Sequence, residues 1–338
     1  MFLLYTFTYN RPMNTKQKII VILGQTSTGK SDFAVEIAKR MNTEIISADS
    51  RQLYKRMDIG TGKITKKEMR GIPHHLLDIY SPSKTFTVNN FQKLANKKIA
   101  EILKKNKVPI ICGGTGFYID AVVNDTIFPN VPPNKKLREK LSKKPKEELL
   151  KILTKLDKER AKNIDVNNPV RIIRAIEIAK VLGRVPKLEN SNTKNEKTNS
   201  AMAEFVSNSK FDVLKIGLIL PPEILKERIR VRLLTRIKKG MIKEVENLHN
   251  SGVSWKRLSS FGLEYRHISQ YLQKIKNLPT SKRKELKNKM INNLYTDIWH
   301  FAKRQNTWFK RDPNIIWIDP RSNDDKTKIL KTIEKFIE

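Results

Sequence analysis

Cysteine occurs once in 338 residues, at Cys112. A lone thiol excludes an internal disulfide framework and leaves no cysteine-based zinc site, which points to a reducing, cytoplasmic setting. Long apolar runs are missing too. Nothing reaches the roughly 18 consecutive apolar residues of a membrane-spanning helix, so no membrane association is expected. Residues 1–17 start with a short apolar stretch and no basic segment. They read as a disordered extension or a mis-called start, with Met13 the alternative start. Acidic residues are scarce: 34 Asp and Glu face 68 Lys and Arg, a formal net charge of +34. Such a chain attracts nucleic acid or another polyanion, or else carries a compositional bias, since Lys, Asn and Ile abound even in loops. No internal repeat is visible.

What is there alternates. Apolar runs at Lys18–Leu23, Glu44–Ser47, Val108–Cys112, Leu214–Leu220 and Ile315–Ile318 predict strands. Helical periodicity covers Ser31–Met41, Asn89–Lys105, Pro222–Asn250 and Lys289–Arg311. Strands alternating with helices imply an α/β fold with a parallel sheet covered on both faces. From 122 to 210 strand signals vanish and helical segments near 135–141, 146–156 and 169–182 take over. The spacing predicts a core of 18–121 and 211–338 with an inserted helical subdomain at 122–210. Within it the polar stretch 189–210 reads as a mobile loop.

The sharpest motif is Gly24-Gln25-Thr26-Ser27-Thr28-Gly29-Lys30-Ser31, directly after the first strand. A Gly-rich turn that ends in Gly-Lys-Ser and opens a helix gathers backbone N–H groups and the positive end of the helix dipole at one spot. Lys30 can reach phosphate oxygens and the Ser31 hydroxyl can ligate Mg²⁺. The chain therefore holds a polyphosphate, of a kind the loop does not specify.

Two further strand ends share that edge. Asp49 leaves the second strand, where a carboxylate could ligate a metal, take a proton, or cap the next turn. Ser50, Arg51 and Gln52 add groups that could read a base edge. Gly113-Gly114-Thr115-Gly116 leaves the strand that ends in Cys112, and Thr115 can donate to an anion. A usual phosphate-loop NTPase ends a strand in an Mg²⁺-holding Asp. Cys112-Gly113 stands here instead, which weakens a kinase or ATPase reading. His74-His75 is expected to make structural or active-site hydrogen bonds rather than to bind a metal.

Positive charge concentrates late. Between Pro222 and Arg311, 22 basic residues face 7 acidic ones. Lys303-Arg304-Gln305-Asn306-Thr307-Trp308-Phe309-Lys310-Arg311 mixes cations with aromatics. That mixture suits phosphate contacts and base stacking, or equally a solvated helix end with Trp308 in the core.

These segments, taken in order, resemble the tRNA dimethylallyltransferase (tRNA isopentenyltransferase) family. The matching stretches are the phosphate loop, Ser47–Tyr54, Met57–Lys63, Pro73–Ile79, Gly113–Ile119, Asn168–Glu177 and Lys303–Phe309. Departures include Gln25 for the family's usual Pro, Gly62 and Ile64 for Ala and Pro, and Val170 for Gln.

The resemblance implies a phosphate-loop NTPase-like core with an inserted all-helical subdomain. It implies transfer of the dimethylallyl group from dimethylallyl diphosphate to the exocyclic amine of the adenosine 3′ to the anticodon, with Mg²⁺ as cofactor. It implies a monomer acting on the anticodon stem-loop, with the target base flipped into a channel. On this reading Asp49 is the general base. Thr115 and Lys30 meet the diphosphate, Ser31 meets Mg²⁺, and Arg228 and Arg232 lie near the diphosphate. Asp49–Gln52, Val170, Arg171, Ile172, Ile173 and Arg174, and Lys303–Lys310 fall on tRNA-contact segments. Two rivals stand beside it: a small-molecule or nucleoside kinase using the loop for ATP, and a non-catalytic RNA-binding protein.

Overall fold

A computed structural model describes residues 16–186, 210–276 and 278–338. The expected N-terminal extension before residue 16, the alternative start at Met13, and all of the expected loop except Lys210 lie outside the described residues.

Six strands form one parallel sheet: β1 (Gln17–Gly24), β2 (Ile45–Ser47), β3 (His74–His75), β4 (Ile110–Gly113), β5 (Phe211–Leu218) and β6 (Ile315–Ile318). Their order is β3-β2-β4-β1-β5-β6. β1 lies inside the sheet, paired with β5 from Gln17↔Phe211 to Gly24↔Leu218 and with β4 up to Leu23↔Gly113. Ser47 of β2 pairs with Cys112. The register brings Gly24, Ala48 and Gly113 out at one edge. In parallel α/β sheets that carboxyl edge is where ligands bind.

Successive strand residues point to opposite faces, and two cores result. Ile20 and Ile22 pack with Phe33 and Ile37 of α1 (Lys30–Arg40) and Ile329 and Ile333 of α14 (Asn323–Ile337). Ile19 and Val21 join the larger cluster. That cluster draws on α3 (Val88–Leu103), α4 (Gly116–Val123), α9 (Pro222–Lys238), α10 (Met241–Asn250), α11 (Trp255–Ser260), α12 (Leu263–Ile275) and α13 (Thr280–Phe309). Between β2 and β3 lies the single-turn α2 (Lys66–Met69), closed by a Thr65–Glu68 capping box. No described helix is long and apolar enough to cross a membrane.

The chain divides into two compact units, 1–123 with 210–338, and 124–209. The described part of the second is helical: α5 (Lys135–Ser142), α6 (Lys146–Leu156), α7 (Lys158–Lys162) and α8 (Pro169–Leu182). It has its own core of Leu141, Leu149, Leu153, Ile172 and Ile176. Its buried carboxylate, Glu177, accepts from Arg138 Nη2 at 2.7 Å and Arg174 Nη1 at 2.5 Å.

Several boundaries differ from the sequence reading. β3 is two residues long and too short for a periodic signal. The helix expected over Pro222–Asn250 breaks at Gly240, whose φ of +97° no continuous right-handed helix accommodates. α13 starts at Thr280, well before Lys289, because Pro279 sets its start and the basic first turns continue the helix. β5 begins at Phe211, extended by its register with β1.

Candidate active site

The phosphate loop hangs between β1 and α1. Gly24 has a φ of +138°, and a Cβ there would run into the backbone carbonyl of Leu218. Gly29 caps α1 with a φ of +96° and no side-chain bond, so no cap covers the first N–H groups of the helix. Inside the loop the carbonyl of Gln25 accepts from Thr28 Oγ1 at 2.8 Å and from Lys30 Nζ at 2.5 Å. Burial lowers the Lys30 amine to about 8, with the nearby Arg232 charge pulling the same way.

The loop forms the base of a pocket of about 380 Å³. Thr26, Ser27, Gly29, Lys30 and Ser31 line it from one side, and Asp49 and Gln52 enter from the end of β2. Thr61 and Gly62 form a further wall, while Arg228 and Arg232 of α9 add two cations one helical turn apart. Arg232 Nη2 donates to Gly62 O at 3.3 Å, and so does Gln52 Nε2. Burial, then the neighbouring Arg236, lowers Arg232 to about 10. Three cations around one cavity form a site for a multiply charged anion.

Asp49 both caps a turn and faces the cavity. Its Oδ1 accepts from the N–H groups of Arg51 at 2.8 Å and Gln52 at 3.3 Å. Its Oδ2 has no protein partner among the described residues, and the side chain lines the pocket. Thr115 stands beside the same turn. Its Oγ1 accepts from Ser50 N at 3.1 Å and lies 3.4 Å from Ser50 Oγ, and it is not among the lining residues. Thr115 thereby helps to hold the turn after Asp49. Gly113, at the same edge, is glycine because a Cβ would strike the carbonyl of Ala48.

α13 closes the pocket with Phe301 and Gln305. Gln305 Nε2 donates to Gly114 O at 2.8 Å. Gln25 is buried and its Nε2 donates to Ala302 O at 3.1 Å, a bond that a proline at this position cannot make. His74 lines the pocket and its Nδ1 lies 2.8 Å from Ile72 O, while His75 Nε2 lies 2.7 Å from Glu44 Oε2. Burial, ahead of other causes, holds His74 below the ordinary imidazole range.

The nucleic-acid candidates divide by exposure. Val170 and Arg171 are exposed. Ile172 and Ile173 are in the core of the 124–209 unit, and Arg174 is spent on Glu177 and Val131 O. The expectation of tRNA contact is corrected for the side chains of Ile172 and Ile173, because helical periodicity turns them inward. Lys303, Arg304, Thr307 and Lys310 are exposed on α13. Gln305 and Phe309 are buried, and Asn306 is half-buried. Trp308 is half-buried: its Nε1 donates to Asp120 Oδ2 at 2.9 Å and its ring meets Phe117 edge-on at 6.3 Å. Ser50 and Arg51 are half-buried at the pocket's margin, with Arg51 5.7 Å above the Phe261 ring.

Among the described residues no three His, Cys, Asp or Glu side chains converge on one point. Ser31, Asp32 and Asp49 nevertheless all line the pocket. Mg²⁺ commonly takes only one or two protein ligands and completes its shell with phosphate oxygens and water. This donor set fits it beside a bound diphosphate.

The sequence reading missed Glu244, and it gave no role to Glu264 and Tyr265 in the segment Phe261-Gly262-Leu263-Glu264-Tyr265-Arg266, a departure from the family's usual Ile-Gly-Tyr-Arg/Lys-Glu form. Glu244 gathers the backbone of residues 58–60, and Arg236 bonds Glu264 Oε1 and Gly60 O at 3.3 and 3.4 Å. Glu244 sits in an ordinary amphipathic helix, where no local pattern distinguishes it.

The model of the IPP transferase family matches residues 52–312. A tRNA dimethylallyltransferase 2 from Treponema denticola is 43% identical over 302 residues, 88% of this chain and 93% of that protein. A tRNA dimethylallyltransferase from Bacillus cytotoxicus is 35% identical over 324 residues, 94% and 95% of the two chains. Among solved structures, a full-length tRNA isopentenylpyrophosphate transferase from Bacillus halodurans superposes with a TM-score of 0.67 at 32% identity, covering 95% of this chain and 97% of that one. A eukaryotic dimethylallyltransferase acting on tRNA superposes with a TM-score of 0.72 at 25% identity, over 94% and 78% of the chains.

Proposed function

The chain belongs to the IPP transferase family and is an enzyme that transfers a dimethylallyl group to tRNA; we propose that the pocket at the phosphate loop binds the donor and that Asp49 activates the acceptor. The donor is dimethylallyl diphosphate and the acceptor is the exocyclic amine of the adenosine 3′ to the anticodon. The observation that carries this reading is that Asp49, Lys30, Ser31 and Arg232 line one cavity.

The diphosphate lies on the N–H groups of the loop, facing Lys30, Arg228 and Arg232. The target base is flipped out of its stack so that its amine can reach the prenyl carbon. The amine nitrogen forms a bond to that carbon, the carbon–oxygen bond to the diphosphate breaks, and the electron pair leaves with the diphosphate. Asp49 Oδ2 takes the proton that the nitrogen sheds. An aryl amine is a weak nucleophile, and a positioned carboxylate contributes ~10²–10⁴-fold. Preorganised cations and N–H groups stabilise the charge that grows on the leaving group. Mg²⁺, held by Ser31 and diphosphate oxygens, would neutralise part of that charge. Thr115 acts through Ser50, keeping the turn that carries Asp49.

The exposed Lys303, Arg304 and Lys310 suit contact with the anticodon stem-loop. A tRNA substrate and a lone thiol fit a cytoplasmic enzyme.

The test is incubation of the protein with unmodified tRNA, dimethylallyl diphosphate and Mg²⁺, followed by mass spectrometry of the nucleosides. Prenylated adenosine 3′ to the anticodon is the expected product. No product, with ATP consumed on a small-molecule acceptor, would overturn the reading in favour of a kinase.

A further inference from the structure

Glu244 on α10 is half-buried and lies outside the pocket lining. Its Oε2 accepts from the backbone N–H groups of Asp58 at 2.8 Å and Ile59 at 2.6 Å. Its Oε1 accepts from Gly60 N at 3.0 Å and from Tyr265 Oη at 2.8 Å. Three successive N–H groups aimed at one point form an anion nest of the kind that loops offer to phosphates. Here the nest is filled by the protein's own carboxylate. Charge-assisted bonds of this sort are about twice as strong as neutral ones. Glu244 also lines a surface depression together with Arg56, Asp58, Lys239 and Lys243.

The same loop turns within two residues to form the pocket wall. Gly62 N bonds back to Ile59 O at 3.1 Å, and Lys63 N to Asp58 O at 2.9 Å. Where Ile59 and Asp58 are held, the carbonyl of Gly62 is held too. That carbonyl accepts from Arg232 and from Gln52, two of the polar groups facing the cavity. A Cβ at Gly60 would press on the Tyr265 ring, and one at Gly62 on the guanidinium groups of Arg236 and Arg232. The loop backbone is therefore packed closely against side chains of α9 and α12.

We infer that Glu244 is a positioning residue for the transfer reaction: by gathering the N–H groups of Asp58, Ile59 and Gly60 it fixes the carbonyl of Gly62, which aims Arg232 into the pocket. The inference rests on the pocket being the diphosphate site. Glu244 touches no reacting atom. It acts through backbone geometry, and a misplacement of about 1 Å at a reacting centre can cost ~10²-fold.

Glu244→Gln keeps the side chain's shape but turns one acceptor into an NH₂ group that faces N–H donors. The measurement is calorimetric binding of inorganic diphosphate to the full chain with Mg²⁺, for wild type, Glu244→Gln, Arg232→Ala and the double variant. The expected result is about tenfold weaker diphosphate binding in Glu244→Gln with unchanged affinity for an unmodified anticodon stem-loop. The double variant should then lose little beyond Arg232→Ala alone, because the glutamate acts through the arginine. A purely structural role would lower the melting temperature while leaving the Kd of the folded protein unchanged, and that outcome overturns the inference. Additive losses in the double variant overturn it as well. Should Glu244→Gln fail to fold, Glu244→Asp keeps the charge but withdraws the oxygens, and the same cycle applies. Loss in Arg232→Ala with none in either Glu244 variant sinks the positioning role and leaves the diphosphate site standing. No loss in Arg232→Ala sinks both.

Discussion

Gln305 of α13 accepts the backbone N–H of Thr26 in the phosphate loop at 2.8 Å, across 279 positions of sequence. The same amide donates to Gly114 O, so one side chain ties two of the loops at the sheet edge to the helix that carries Lys303 and Arg304. Replacing it by Met keeps the bulk and removes both bonds. Each polar group left unpaired away from water costs ~1–3 kcal/mol. Gln305→Met is expected to lower the urea midpoint and to weaken diphosphate binding together. A normal diphosphate Kd in a destabilised variant would separate α13 from the phosphate loop.

Asp49 has two tasks, and two substitutions separate them. Asp49→Ala removes the base and also the cap over Arg51 and Gln52, a loss of ~0.5–2 kcal/mol in stability. Asp49→Asn keeps an acceptor for the cap but cannot take a proton. Both should reduce single-turnover rate by at least ~10², with tRNA affinity little changed. Only Ala should shift the unfolding midpoint. A near-normal rate in Asn would end the general-base role.

Lys30 supplies a pH dependence whose sign is fixed by its lowered pKa. Below about 8 the amine is charged and the loop attracts the diphosphate at full strength. Above that value binding must first take up a proton, so the affinity for dimethylallyl diphosphate should fall as pH rises, by up to ~tenfold per unit. The unfolded chain keeps its lysine near 10.5 and binds more protons between the two values, so this group's contribution to stability rises with pH over that window. Calorimetric titration at pH 7, 8 and 9 without tRNA reads the first effect. A flat affinity profile would remove Lys30 from the diphosphate site.

Exposure decides which residues of the 303–310 stretch can reach RNA. Arg304 is exposed, and Arg304→Ala should weaken tRNA binding while reducing the salt slope by about one. Phe309 is buried in the core. Phe309→Ala should cost ~3–5 kcal/mol of stability and leave the salt slope of the folded protein unchanged. An unchanged slope in Arg304→Ala would exclude a phosphate contact there.

Much of the core was legible because its signals are local. An apolar run followed by Gly-x-x-x-x-Gly-Lys-Ser predicts strand, loop and helix at once, and β1 and α1 follow that pattern. Asp49 was legible as a residue at a strand end, but its double task depends on which oxygen faces the turn. Thr115 was read as an anion donor because a Gly-Gly-Thr turn commonly is one. Its use on Ser50 depends on how two loops distant in sequence meet. Glu244 left no trace, since an acidic residue in the first turn of an amphipathic helix is common. The backbone N–H groups it accepts from lie 184 to 186 positions away. Ile172 and Ile173 were read from a motif, and the motif does not say which way a helix faces.

The pairing of β1 with β5 also has a consequence for how the chain is made. β1 is synthesised with its partner on one side, β4, following within the first 113 residues, while its eight-residue pairing on the other side waits for Phe211–Leu218. At ~5–20 residues per second, a nascent chain carries this apolar strand with an open edge for on the order of ten seconds. The 124–209 segment, with a core of its own, emerges during that interval and can close on itself. The growing protein should therefore depend most on chaperones between completion of β4 and emergence of β5, and ribosome-bound chains stalled there should be its most aggregation-prone form.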